Sequence, residues 1–243
     1  MELSRNAAIV TGGAVRVGRA ITLALAGAGV DVFVHYNRSS GPAEETAEAA
    51  RSLGVRAAFG SANLSDPSSV GDLVAVATDA LGPVSLLVNS ASGFPEDTIE
   101  DVTVEGWGRS LDLTLAAPVF LTQAFARALP DDGAGAVVNV TDVKTMTPYR
   151  KHFSYMVAKG GIDTFTRAAA LALAPRIRVN AVALGVILPP PGEGEEYMNA
   201  LAAEIPLQRA GGTDPVVETV LYLLRNDFVT GEIVRVDGGA HLV

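Results

Sequence analysis

Seven short, almost wholly apolar runs alternate along the chain with longer stretches whose apolar residues recur every three or four positions. The short runs are AAIVT (7–11), DVFVHY (31–36), RAAFGSA (56–62), SLLVNSA (85–91), GAVVNVT (135–141), IRVNAVAL (177–184) and EIVRVD (232–237). The longer stretches cover 16–28, 42–53, 67–81, 104–128, 153–174, 195–204 and 215–224 and read as helices. Strands that are apolar on both faces need covering on both faces, and helices between them supply the cover. The pattern predicts a single α/β domain over residues 1–243, a doubly wound Rossmann-type parallel sheet of about seven strands. In such sheets ligands bind beyond the carboxyl ends of the strands. Chemistry is therefore expected just after each short run.

Composition narrows the partners. Of 243 residues, 49% are hydrophobic and 19% charged, enough to build a sizeable core. A formal charge of −9 argues against nucleic acid or an anionic membrane, since both select basic patches. The chain has no cysteine, which removes disulfides, thiolate metal sites and a cysteine nucleophile. His35, His152 and His241 share no ligand spacing, so no metal is expected. MELSRNAAIVTGG lacks an extended apolar core after a basic start, and no run approaches the length of a membrane span. The expectation is a cytoplasmic protein acting on a small molecule.

The first strand runs into TGGAVRVGRAITLALAGAG. Gly12, Gly13 and Gly18 permit a tight turn and close approach of a diphosphate to backbone amides, and the next helix adds its positive end. Arg16 stands where a middle glycine is common; a plain surface arginine is the bland reading. The second strand ends in VHYNRSS (34–40), with no carboxylate to hold an adenosine ribose. Instead His35, Asn37, Arg38, Ser39 and Ser40 lie there, with Arg16 from the neighbouring turn. Guanidinium groups and hydroxyls suit a phosphate dianion, so the expected cofactor is NADP(H). Asn63, after the third strand, is expected near the adenine, and Asn89, Ala91 and Ser92, after the fourth, near the cofactor backbone. Ordinary turn residues would read the same way.

The fifth strand leads into NVTDVKTMTPYRKHFSYMVAKGG (139–161). Tyr155 and Lys159, four apart, share a helix face. An ammonium beside a phenol favours the phenolate, so Lys159 is expected to lower the Tyr155 pKa and ease proton transfer. Lys159 can also donate to ribose hydroxyls. A solvated helical face gives the same spacing by chance. What raises the pair above chance is its place downstream of a nucleotide-binding turn, after a strand ending at Asp142.

The motifs TGGAVRVG, VNSAS, NVTD, YMVAK, RVNAVALG and VTGEIVRVDGG together resemble the short-chain dehydrogenase/reductase family over nearly the whole chain. In that family the residue thirteen before the tyrosine is usually a serine that polarises a substrate carbonyl, and here it is Asp142. Aspartate there, arginine in the glycine turn, HYxRS after the second strand and Phe94 in ASxF resemble the pteridine reductase branch. The resemblance implies an NADPH-dependent reduction of a C=N bond in a pterin, dihydropterin or dihydrofolate-like substrate. Asp142 would give a proton to a ring nitrogen and be resupplied through Tyr155. Phe94 would stack on the substrate, with Ser92 beside it. Gly185 and Val186 would meet the nicotinamide, and Val17 and Leu64 complete the cofactor set. The family also implies a homotetramer built on the long helices around 104–128 and 153–174.

The chain departs from the family at three places. Thr114 replaces an asparagine that extends a proton relay, Leu184 replaces a proline before Gly185, and Pro95 stands where a second aromatic is expected. Residues 186–206, including the proline- and glycine-rich LPPPGEGEEYMNA (188–200), are read as a substrate cover, although a plain surface loop has the same composition. A carbonyl or 3-oxoacyl thioester reductase, with Asp142 merely tolerated, is the alternative activity. A non-catalytic NADP(H)-binding sensor or scaffold is the third reading, to which Thr114 and Leu184 lend support and against which Tyr155 and Lys159 stand.

Overall fold

The strands β1 (Ala7–Val10), β2 (Asp31–Tyr36), β3 (Ala57–Ser61), β4 (Leu86–Asn89), β5 (Gly135–Asp142), β6 (Ile177–Leu184) and β7 (Ile233–Val236) all pair in parallel. They form one sheet in the order β3-β2-β1-β4-β5-β6-β7. These are the seven expected strands: β2 and β6 keep the expected bounds, β5 runs one residue further to Asp142, and the other four are shorter. The computed structural model describes residues 2–190 and 192–243. Pro191, inside the expected cover, lies outside the described residues.

Successive side chains of a strand point to opposite faces, and the strands feed two apolar layers accordingly. Ala8 and Val10 of β1 join Leu86 and Val88 of β4 in one layer, while Ala7 and Ile9 join Leu87 and Val137 in the other. The first layer is closed by α1 (Arg16–Gly27), α2 (Ser40–Ser52) and α8 (Asp214–Arg225), through Ile21, Leu25, Ala47, Val220 and Leu224. The second is closed by α3 (Pro67–Leu81), α5 (Ala117–Ala128) and α6 (Phe153–Leu173), through Leu73, Leu121, Phe125 and Ala169. With α7 (Glu195–Ala203) after β6, every expected helix is present. Among the described residues no helix is long and apolar enough to cross a membrane.

The single helix expected over 104–128 is interrupted. It runs as α4 (Val104–Leu111), a wide π-helical turn (Asp112–Ala116) and α5. Pro118 supplies the physical reason. A proline inside a helix lacks the N–H that would bond the carbonyl four residues back, and its ring crowds that carbonyl. Here that residue is Thr114, and the widened turn relieves the crowding.

The topology fixes where a ligand goes. The sheet reverses its winding between β1 and β4, so the connections after these strands leave in opposite directions and open a crevice. The glycine turn follows β1 on one side of it. On the other side Asp142 ends β5, paired in register with Leu184 of β6.

Candidate active site

The turn after β1 is held by contacts that tolerate no side chain at its glycines. A Cβ on Gly18 would lie 2.1 Å from the Gly12 carbonyl oxygen, and one on Gly12 would lie 3.1 Å from Ala91 Cα. Thr11 Oγ1 accepts from the amides of Ser90 and Ala91 at 2.9 and 3.0 Å and fixes the end of β4 against the turn. Arg16 occupies its glycine-like position with φ +54°, and its guanidinium donates to the Pro189 carbonyl at 2.7 Å.

A cavity of about 950 Å³ starts at this turn and passes the ends of β2 and β4 to Asp142. Gly12, Arg16, Val17, Gly18, Asn37, Arg38, Ser39, Leu64, Ala91, Ser92, Gly185 and Val186 line it as the sequence predicts, and so do Phe94, Tyr155 and Lys159. Its described walls carry five cationic side chains, Arg16, Arg38, Arg150, Lys151 and Lys159, against the single carboxylate of Asp142. A long cleft with that charge balance, a glycine cradle at one end and no acid at the tip of β2 fits a dinucleotide bearing an extra phosphate.

Three expected cofactor residues are placed differently. His35 lines the cavity but is buried, and both ring nitrogens are committed: Nδ1 accepts from the Gly12 amide at 3.1 Å, and Nε2 donates to the Ala62 carbonyl at 3.0 Å. Burial lowers its pKa, so a neutral ring props the glycine turn and has no free donor for a phosphate. Asn63 is off the cavity wall, its side-chain oxygen accepting from the Ser65 amide at 3.2 Å. Asn89 lies beneath the floor, donating to Asn139 Oδ1 at 2.8 Å, and Asn139 donates to Thr166 Oγ1 at 2.9 Å. That chain ties β4, β5 and α6 together under the site.

At the far end of the cavity the Tyr155 hydroxyl donates to Asp142 Oδ2 at 2.9 Å, and the Lys144 amide donates to Oδ1 at 2.8 Å. Burial raises the Asp142 pKa above the usual carboxylate range, against the opposing pull of the Lys144 amide, Tyr155, and the charges of Lys159 and Lys144. The expectation for Tyr155 is corrected. Its pKa is raised, first by burial and then by the negative charge of Asp142. Lys159 does not offset this, because its ammonium donates to the Val140 carbonyl at 2.7 Å and stands 5.6 Å from the phenol ring centre. Tyr155 is therefore a protonated donor to Asp142. Lys159 itself is 3% exposed, and burial lowers its pKa to about 8 against the support of Asp142 and Asp163.

Phe94 remains 43% exposed at the mouth. One face stacks on His152 with ring centres 3.7 Å apart and planes at 15°, and the Tyr155 ring approaches it edge-on at 4.9 Å. The loop carrying Phe94 is tied to the start of α6: His152 Nδ1 donates to the Pro95 carbonyl at 2.8 Å, and Asp97 accepts from the Ser154 amide at 3.0 Å and from the Ser154 hydroxyl. Phe94 and Tyr155 are thus carried on one rigid unit. Sequence reading missed Tyr149, Arg150, Lys151 and His152 on the cavity wall; it expected the 186–206 segment over the substrate without singling out Tyr197, Met198 and Leu201 of α7, which line the cavity. The rule that ligands lie past strand ends could have found the first four, which follow β5; nothing in the α7 sequence marks its inner face.

The family comparison now decides the class. The model described as Enoyl-(Acyl carrier protein) reductase matches residues 13–241. The chain is a short-chain dehydrogenase/reductase. A 3-oxoacyl-[acyl-carrier-protein] reductase from Synechocystis sp. is 32% identical over 98% of this chain and 97% of its own length. Among solved structures, FolM alternative dihydrofolate reductase 1 from Brucella canis, complexed with NADP, aligns with TM-score 0.95 and 38% identity over 100% of this chain and 96% of that one. The same reductase from Brucella suis, also with NADP, aligns with TM-score 0.95 and 38% identity over 100% and 97%. This short-chain dehydrogenase/reductase is therefore an oxidoreductase whose solved relatives include two proteins described as dihydrofolate reductases.

Proposed function

We propose that this enzyme is an NADPH-dependent reductase of pterin, dihydropterin or dihydrofolate-like substrates, acting on a C=N bond. One observation carries the reading: a partly buried carboxyl with a raised pKa, hydrogen-bonded to the tyrosine hydroxyl, takes the place of the family's neutral serine. The NADP complexes of the FolM reductases and their description as dihydrofolate reductases support both cofactor and substrate class.

The nicotinamide, when bound, supplies the hydride. Arg16, Arg38 and Ser39 would hold the extra phosphate, and the glycine turn would receive the diphosphate. Reducing C=N adds a hydride at carbon and a proton at nitrogen, with no carbonyl oxygen to polarise. Asp142, whose protonated form is favoured by burial, gives a proton to the ring nitrogen and becomes a carboxylate. Tyr155 donates to that carboxylate through the hydrogen bond already formed and hands on its proton to restore it, and a solvent proton entering by the cavity replaces the one Tyr155 gives. Lys159, charged below about pH 8, stabilises the carboxylate that Asp142 becomes. Phe94, backed by His152, presents its free face to a flat heterocycle. Leu188, Pro190, Tyr197, Met198 and Leu201 of the 186–206 segment line the cavity and act as its cover.

A carbonyl or 3-oxoacyl thioester reductase is the second reading, favoured by the matched family description and the Synechocystis relative. NADPH oxidation measured in parallel with a dihydropterin, dihydrofolate and a 3-oxoacyl thioester separates the two. The proposal expects turnover with at least one of the first two and little with the third; the reverse order refutes it.

A further inference from the structure

Asp163 lies on α6 one turn beyond Lys159 and two beyond Tyr155, on the same helix face. Its carboxylate accepts from two threonines of the segment that bears Asp142. Thr141 Oγ1 donates to Oδ1 at 2.6 Å, and Thr145 Oγ1 donates to Oδ2 at 2.7 Å. Thr141 immediately precedes Asp142, and Thr145 closes the turn after it, its hydroxyl lying 3.0 Å from the Asp142 carbonyl oxygen. One carboxylate therefore grips the chain on both sides of Asp142 and fastens it to the helix that carries Tyr155. Lys159 fastens the same strand a step earlier, through the Val140 carbonyl.

We propose that Asp163 is a positioning residue of this active site: it locks the end of β5 onto α6 so that the Asp142 carboxyl meets the Tyr155 hydroxyl, and its negative charge keeps Lys159 in the ammonium form. The inference rests on the reading of Asp142 as proton donor. A carboxylate suits both tasks, because it accepts two hydroxyl donors at once and carries charge into a buried region. The charged or titratable neighbours in this cluster are few. Asp142 and Asp163 act on Lys159, while Lys144, Lys159, Tyr155 and Tyr149 surround Asp142. The family motif does not mark Asp163, since its contribution runs through other residues.

Two variants separate its tasks. In Asp163→Asn the amide keeps the shape and can still bond both threonines, but the charge is gone. In Asp163→Ala both are lost. The chain contains only three lysines, Lys144, Lys151 and Lys159, so NMR of isotope-labelled lysine side chains can follow the Lys159 titration without any substrate. In wild type one lysine titrates at about pH 8. In Asp163→Asn that transition moves to lower pH, and the alkaline limb of kcat moves with it. Asp163→Ala lowers kcat by roughly tenfold through misplacement of Asp142, while NADPH affinity stays within about twofold because Asp163 is off the cavity wall. An unmoved Lys159 transition in Asp163→Asn, or a wild-type kcat in Asp163→Ala, overturns the inference. A wild-type enzyme that ignores dihydropterins but reduces a 3-oxoacyl thioester refutes the proposed substrate instead, and leaves the lysine titration as the test of Asp163.

Discussion

Replacing Asp142 by asparagine makes the enzyme less active and the fold more stable, and the two effects separate by pH. Asparagine keeps the geometry: its carbonyl oxygen can accept from the Lys144 amide, now 2.8 Å from Oδ1, while its amide turns to the Tyr155 oxygen, now 2.9 Å from Oδ2. What disappears is the transferable proton. General acid catalysis is worth about 10²–10⁴ in rate, so kcat should fall by that factor, or about 3–5 kcal/mol in barrier. Stability moves the other way. Burial raises the Asp142 pKa in the folded protein, so the folded state binds that proton more tightly than the unfolded chain does. The resulting penalty is absent below the unfolded carboxylate pKa, grows as pH rises, and is complete above the folded pKa. The neutral amide never incurs it. A gain on the order of 1 kcal/mol at neutral pH corresponds to a Tm rise of about 2–4 °C in a chain of this size, vanishing in acid. NADPH oxidation with the best substrate and melting curves across the pH range test both halves. Wild-type turnover sinks the proton-donor role; a Tm gain that persists unchanged in acid sinks the burial argument.

Arg38→Ala removes a cation from the tip of β2, and losing a charged phosphate contact of about 1.5–3 kcal/mol should weaken NADPH binding by roughly ten- to a hundredfold. NADH binding should not change, and titration with each dinucleotide decides. Arg16→Gly should weaken NADPH in the same way yet hold or raise Tm, because glycine adopts φ +54° freely whereas another residue is strained there by about 1–2 kcal/mol; a fall in Tm would show that the bond to Pro189 outweighs the strain. Gly18→Ala would set a Cβ 2.1 Å from the Gly12 carbonyl, and displacing the turn should cost about 1–3 kcal/mol in stability and abolish tight NADPH binding; an unaffected Kd contradicts that cradle. Leu171 on α6 and Val104 on α4 are each 85% exposed, and Phe120 on α5 and Val157 on α6 are 44% and 42% exposed. The homotetramer expected from the family resemblance is tested by light scattering: it predicts a tetrameric wild type that Leu171→Asp splits into smaller species, and a monomeric wild type refutes it.

The strands were legible because each is mostly apolar and bounded by a turn, a signal that in the central strands comes from burial on both faces. The wide turn at Asp112–Ala116 was not, although its cause is local. Periodicity continues across it, and only Pro118 hints that the Thr114 carbonyl must move. Arg38, Phe94 and Tyr155, singled out from the sequence, line the cavity. Asn63, Asn89 and His35 differ because a polar residue at a strand end can bond its own framework as readily as a ligand. His35 spends both nitrogens on the turns it separates, and Asn89 spends its amide on Asn139.

The same competition explains why the tyrosine pKa ran opposite to expectation. Spacing alone places Lys159 one turn from Tyr155, yet it says nothing of where the ammonium points. The Val140 carbonyl takes the ammonium, and Asp142 takes the phenol. With a serine at the strand end, Tyr155 would lose the negative charge of Asp142, and burial would still hold its pKa up. With Asp142 there, the carboxyl holds the raised pKa that suits an acid, and the phenol is kept protonated as its supply. The proposed role of Asp163 follows from that exchange. A second carboxylate behind Lys159 offsets the burial of its ammonium and fastens the segment whose displacement would part Asp142 from Tyr155. The exchange of one residue at the end of β5 thus reassigns the roles of the tyrosine, the lysine and the aspartate behind them.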